Sequence, residues 1–255
     1  MKNKRKILIL SSTGLLVFLI FISFCVYKWE FREQVLEINF FNLNRGRSIF
    51  LRTPKNKTIL IGGGQNTDTI RELTKVMPFY SRTINYIFIP SATPEQIGGL
   101  IEIVDRYKVD EVFLTKNMST STVLKNLKDR IKKNNIHIKE IELNDQIEMD
   151  GIIVNVIFPN PDFKFNKTSL PELALDISYN NTSLYLLGNL SKTIQKYISK
   201  NIKPNKENII EFYHSGIDTK VSNDLTEKIK PKYIFNKKEK TTRWISDGHF
   251  FKREI

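Results

Sequence analysis

Apolar positions along this chain fall into runs with two different periods. "INYIFI" (84–89) is almost continuously apolar and reads as a buried strand, while "LALDISY" alternates. In it Leu173, Leu175, Ile177 and Tyr179 interleave with Ala174, Asp176 and Ser178, the mark of a half-buried strand. Elsewhere the spacing is helical. Ile70, Leu73 and Met77 share a face of "TDTIRELTKVMPFY", with Thr67 placed to cap it, and Val123, Leu124, Leu127 and Ile131 line one side of "STSTVLKNLKDRIKKNN".

Read in order, "VLEINFF" and "SIFLRT" are two strands joined through the hairpin-like turn "NLNRGR", and "KTILI" is a third that stops at "GGG" (62–64). Three glycines in a row mark a backbone that turns sharply or passes close to something. The helix 67–80, the strand 84–89, a helix over "TPEQIGGLIEIVDRY" with Pro94 at its first turn, the strand "EVFLT" and the helix 119–135 follow. The second half is richer in strands: "IHIKEIEL", "GIIVNVIF", "ELALDISY", "TSLYLLG", "NIIEFYH" and "KYIFN", with helices over "SKTIQKYISK" and "VSNDLTEKIK". "ISDGHFFKREI" reads as a terminal hairpin or tail. Two β-rich halves that each carry helices predict an α/β fold of two packed sheets with helices on both outer faces.

One segment stands apart. Residues 7–27, "ILILSSTGLLVFLIFISFCVY", hold no charge over a length that can span a hydrocarbon core about 30 Å thick. The basic tail 1–6 precedes it, and Tyr27 and Trp29 suit an outer interface. No small-residue cleavage site follows, so the expectation is an uncleaved single-pass anchor in the cytoplasmic membrane of a bacterium. A tether at 28–34 would then lead to a domain, residues 35–255, outside the cytoplasm.

Composition adds limits. The net charge is +13; six basic and two acidic residues lie in the first 34, which leaves +9 for the domain, a field that attracts polyanions or anionic lipid. A single cysteine, Cys25, excludes an intrachain disulfide and a multi-cysteine zinc site. With only His137, His214 and His249, a histidine-rich dinuclear centre cannot be built.

Several phrases resemble the metallo-β-lactamase fold, and within it the soluble domain of the competence DNA-uptake protein ComEC and its stand-alone relatives. "LEINFFNLNRGRSIFLRTPKNKTILIGGG" is similar to that family's strand, "DVGQGDS", strand and "TPDGKTILIDGG". "IPSATPEQIGGL" is similar to "THPDADHIGG", "LALDISYNNTSLYLLGNLS" to "SLVLRLEYGDTSFLLTGDAE", and "IIEFYHSGID" to "VLKVPHHGS". The likeness runs from Leu36 to Asn236 and implies a four-layer αβ/βα sandwich.

In that family two close divalent ions activate a bridging hydroxide. The resemblance places the first ligand cluster, H-x-D-x-D-H, at Ser91, Thr93, Glu95 and Gln96, so that Glu95 alone keeps an acid. The bridging acid matches Asn189 and the "IDGG" acid matches Gly62. The acid before Ser in "DVGQGDS" matches Arg47, a reversal of charge. Of the "HHG" pair His214 stands and Ser215 replaces its neighbour, while Lys237 to Lys240 stand where the family has "GHP". The resemblance therefore implies a metal-binding loop whose ligands have been replaced on a retained scaffold, and no catalytic residue or metal is expected.

Arg45 and Arg47, with the amides of Gly63 and Gly64 and the start of the Pro94 helix, form a candidate anion site; an exposed basic turn is the other reading. His214 is either a remnant ligand or a strand-end histidine, and Asp176 and Asp218 read as surface or turn acids. Three functions stay open. One is a non-catalytic domain that binds nucleic acid or a partner protein in DNA uptake. Another is a hydrolase or phosphodiesterase with an altered site, which alone would need zinc or manganese. The third is a scaffold for an intact homologue or a channel.

Overall fold

In a computed structural model, residues 17–23, 34–116, 118, 120–160, 172–212, 220–235 and 241–254 are described. The chain divides into two units, Met1–Gln34 and Val35–Ile255. Of the expected anchor only residues 17–23 are described; they are helical and exposed, and among the described residues no helix is long and apolar enough to cross a membrane.

Among the described residues, fourteen strands of the second unit form two sheets. The first contains β1 (Leu36–Phe41), β2 (Ser48–Arg52), β3 (Thr58–Ile61), β4 (Thr83–Phe88), β5 (Lys108–Thr115) and β6 (His137–Ile141) side by side. The C-terminal hairpin of β13 (Thr242–Ser246) and β14 (Phe251–Glu254) joins the outer edge of β1. β1 to β3 are antiparallel, and β3 to β6 run parallel.

The second sheet lines up β7 (Gln146–Met149), β8 (Ile152–Phe158), β9 (Ala174–Tyr179), β10 (Thr182–Gly188), β11 (Glu207–Phe212) and β12 (Tyr233–Phe235). Its first four strands are antiparallel, and β10 to β12 are parallel. The expected terminal hairpin is present, with His249 in its turn. β7 was not anticipated, because "QIEM" is short and mostly half-buried or exposed.

Between the sheets lies a core in which Ile38, Phe40, Ile59, Phe88 and Phe113 meet Val154, Leu175, Ile177, Leu184 and Ile209. Burying such side chains is worth about 1.5–3 kcal/mol each, and it explains why these strands are so apolar: helices cover their other faces too. On the outside of the first sheet pack α1 (Asp68–Val76), α2 (Pro94–Ile97), α3 (Leu100–Arg106) and α4 (Thr122–Lys133). Against the second sheet pack α5 (Lys192–Asn201) and α6 (Asn223–Ile229). The molecule is thus an αβ/βα sandwich, in the layering the sequence predicts.

Local chemistry sets the helix ends. Ser121 caps α4, its hydroxyl accepting the Leu124 amide at 3.1 Å. Thr67 stands at the start of α1, but its side chain makes no capping bond; the Asn66 side chain accepts the Asp68 amide instead, at 3.1 Å. α1 stops at Val76, just before Pro78. The helix expected over 93–107 is two pieces separated at Gly98–Gly99. The Gly99 amide donates to the Gly64 carbonyl at 2.9 Å, and a Cβ at Gly99 would stand 2.1 Å from the Gly63 carbonyl oxygen, so close passage of the "GGG" strap requires glycine there. Asp176 also differs from expectation. It is half-buried on β9, accepts hydrogen bonds from Ser178 and Asn155, and is raised above the usual carboxylate range by burial.

Register within each sheet and two contacts between the sheets, Thr182 with Ser246 and Arg47 with Glu211, define two ends. β1, β3, β4, β5, β10 and β11 all begin at one end, called proximal because the domain's chain starts there, and all finish at the other, distal end.

Candidate functional site

At the distal end three loops interlock. The β1–β2 loop carries Arg45, Gly46 and Arg47, the "GGG" strap follows β3, and the segment Ser91 to Gln96 follows β4. The Gly64 amide donates to the Arg47 carbonyl at 3.0 Å and the Gly63 amide to the Gln96 carbonyl at 2.7 Å. The Gly62 amide donates to Phe88 at 3.1 Å, and the Ser48 hydroxyl donates to the Gly62 carbonyl at 3.2 Å. Gly46, at φ +84°, lies so close to the start of α2 that a Cβ would stand 1.6 Å from the Glu95 carbonyl oxygen. Backbone bonds and glycines, helped by the hydroxyls of Ser48 and Thr69, hold this scaffold.

The positions that the resemblance assigns to metal binding are spread over this scaffold. Ser91 is fully buried, and its hydroxyl lies 3.2 Å from that of Thr93. Glu95 points its chain into solvent on the first turn of α2, and Gln96 is buried with its side-chain oxygen unpartnered. Gly62 is part of the strap. Asn189 follows β10, and its amide donates to the Glu172 carboxylate at 2.5 Å. His214, Ser215, Asp218 and Lys237 to Lys240 lie outside the described residues.

Arg47 organises the site. Its side chain is 5% exposed and reaches across the gap between the sheets to Glu211, whose side chain is 4% exposed, with an Nη1 to Oε2 distance of 2.5 Å. Glu211 comes from β11 and shares the inward face of Ile209. Glu172, half-buried just before β9, lies nearby: an ideal Cβ on Gly188 would stand 2.4 Å from its Oε2 and 3.2 Å from Arg47 Nη2. Gly188, at φ +59°, thus leaves room for both groups. The Arg47 Nε and Nη2 have no hydrogen-bond partner among the described residues. A cavity of about 20 Å³, lined by Arg47, Ser48, Glu211 and Phe235 among others, has room for about one water molecule. Burial raises the Glu172 carboxyl above its usual range; the Glu211 charge acts in the same direction, while Arg47 and the Asn189 amide oppose it.

Arg47 and Arg45 therefore do not converge. Arg45 is exposed, Arg47 already has a carboxylate partner, and the amides of Gly63 and Gly64 donate to carbonyls within the scaffold. Glu211 escaped the sequence reading, although an acid inside "NIIEFYH" is a signal, since a buried charge needs a partner. Glu172 lies beside an apolar alternation and left no comparable sign.

Among the described residues, the donor set does not fit the dinuclear metal centre that the fold resemblance implies: hydroxyls, two carboxamides, a glycine and an outward-facing glutamate stand where that centre needs imidazoles and carboxylates, with a buried cation nearby. The arrangement instead ties the two sheets together through the Arg47–Glu211 pair, with Glu172 nearby.

No protein-family model matches this chain, and no curated protein matches it. Solved structures do. The metallo-beta-lactamase fold protein YhfI from Bacillus subtilis is similar over 78% of this chain and 85% of its own, at 7% identity and a TM-score of 0.54. A mutant of the CmlA beta-hydroxylase is similar over 79% of this chain and 45% of its own, at 13% identity and a TM-score of 0.51. The chain thus spans less than half the length of the CmlA mutant. With its two sheets, outer helix layers and distal loop cluster, the chain has the metallo-β-lactamase fold.

Proposed function

We propose that this chain is a non-catalytic domain of that fold, anchored in the cytoplasmic membrane of a bacterium and facing outward, which binds nucleic acid or a partner protein in DNA uptake. The observation that carries the non-catalytic reading is the buried Arg47–Glu211 pair, in which a protein cation takes a place among positions where metal ligands would converge. The likeness of "IGGG", "PEQIGGL" and "LLGNLS" to ComEC phrases makes nucleic acid the first candidate ligand, and the +9 charge of residues 35–255 favours a polyanion.

The test is the metal content of the protein purified after growth with zinc and manganese, paired with titration of a labelled DNA oligonucleotide. The reading expects well below one metal equivalent, and DNA affinity that falls steeply between 50 and 200 mM salt as counterions are released. One or two tightly held equivalents would overturn it and favour a phosphodiesterase with an altered site. Metal-free protein that ignores DNA but associates with a channel or a homologue independently of salt would favour a scaffold.

A further inference from the structure

The proximal end carries features that neither the fold nor the distal site uses. Four large apolar side chains of the Val35–Ile255 unit are exposed among the described residues: Phe79 at 92%, Tyr80 at 76%, Phe250 at 62% and Ile153 at 42%. Single exposed apolar residues are ordinary on any surface. These four, however, share one end of the sandwich.

Three contacts fix that placement. Leu36, the first residue of β1, pairs with Ser246, which puts the β13–β14 turn and Phe250 at the proximal end. Arg52 donates to Glu37 at 2.9 Å and to the Val76 carbonyl at 2.9 Å, which fixes the end of α1 there, with Phe79 and Tyr80 a few residues on. Ile153 follows the first residue of β8 and pairs with Ser178, beside the β9–β10 turn. The Phe79 loop precedes β4 and the Phe250 turn follows β13, four strand spacings apart in the sheet order, about 20 Å at roughly 4.8 Å each.

Exposed bases flank them. Lys55 is in the β2–β3 turn, while Arg82 and Lys108 open β4 and β5, the Lys108 amide donating to the Arg82 carbonyl at 2.8 Å. Asp110 lies 3.9 Å from the Lys108 ammonium, and Asp247 accepts the amides of His249 and Phe250 at 2.7 and 2.9 Å.

We infer that this proximal face docks on an anionic phospholipid bilayer, with Phe79, Tyr80 and Phe250 in the interfacial layer and Lys55, Arg82 and Lys108 against the headgroups. Aromatic rings prefer that layer, and each base near an anionic surface contributes roughly fivefold to binding. The inference rests on the proposed anchor: residues 28–34 reach at most about 25 Å, so the end at which the domain begins is kept near the bilayer. Aromatic and basic side chains would also suit single-stranded nucleic acid, but the tether favours lipid.

The test uses the full chain in vesicles of phosphatidylglycerol and phosphatidylcholine, with an environment-sensitive dye on Ser81→Cys in a Cys25→Ser background. Glu95→Cys, exposed at the distal end, provides the comparison. The dye at 81 is expected to shift its emission to the blue and to resist an aqueous quencher, while the dye at 95 does neither. Arg82→Gln with Lys108→Gln is expected to lower the docked-to-undocked ratio about 30-fold. Equal behaviour at 81 and 95 overturns the inference, as does a shift at 81 that single-stranded DNA produces and vesicles do not. Flotation after an alkaline wash reads the anchor separately. A chain that floats with no shift at 81 keeps the anchor and loses the docking face. A chain that washes off yet shifts at neutral pH loses the anchor and keeps the docking face.

Discussion

Arg47→Met removes the cation at the distal site and keeps most of its apolar stem. The arginine side chain is 5% exposed and its glutamate partner's 4%, so solvent cannot replace the lost charge. Glu211 is left buried without its partner, and Glu172 loses the guanidinium that opposes its protonation. Removing one member of a buried ion pair costs about 3–5 kcal/mol, which is about 150- to 5,000-fold in the folded-to-unfolded ratio. That is a large share of the roughly 5–15 kcal/mol that holds a typical domain folded. Replacing both members by apolar groups is close to neutral, because the desolvation of two ions disappears with their attraction. Arg47→Met with Glu211→Leu should therefore recover most of the loss, with a coupling above about 2 kcal/mol, as expected only for residues in contact. The assay is urea unfolding of the parent, both single variants and the double variant at neutral pH, with midpoints combined in a double-mutant cycle. A single-variant cost below about 1 kcal/mol, or losses that simply add, would refute the claim that this pair joins the sheets.

Two more predictions concern the same end of the molecule. Burial holds the Glu172 carboxyl above its ordinary 4.5, so the folded protein keeps this proton to a higher pH than the unfolded chain does. Its contribution is complete below pH 4.5 and is lost as pH rises through the folded pKa. Glu172→Gln is expected to flatten part of the fall in melting temperature above that pH, and Asp176, raised in the same direction, supplies another part. A melting curve with the parent's slope would refute the assignment. Gly46→Ala forces a side chain to φ +84° and against the Glu95 carbonyl. The backbone strain alone costs about 1–3 kcal/mol, read as a lower unfolding midpoint; an unchanged midpoint would show that the loop can move away.

Much of the fold can be read in the chain because most strands are covered on both sides. "INYIFI" and "TSLYLLG" leave little choice, since only a buried strand tolerates so few polar positions. β7, whose residues are mostly half-buried or exposed, has no such pattern and emerges only through its pairing with β8. The break at Gly98–Gly99 is hidden for another reason. A glycine pair within a helical run is unusual but allowed, and the carbonyls that forbid a Cβ there come from residues 63 to 66. At the site, the charge reversal at Arg47 is plain in the sequence, but its partner lies 164 residues away. One-dimensional reading can register a base at this position; it cannot show that the base has its own counter-ion.

The guanidinium also makes a metal centre difficult to build at this end one residue at a time. Histidines and aspartates restored at Ser91, Thr93, Glu95, Gln96 and Asn189 would still face a fixed positive charge, and a divalent ion would gain little from them. Removing Arg47 first would leave two acids in the gap between the sheets before any metal was there to neutralise them. The order that removes Arg47 first therefore crosses a less stable intermediate.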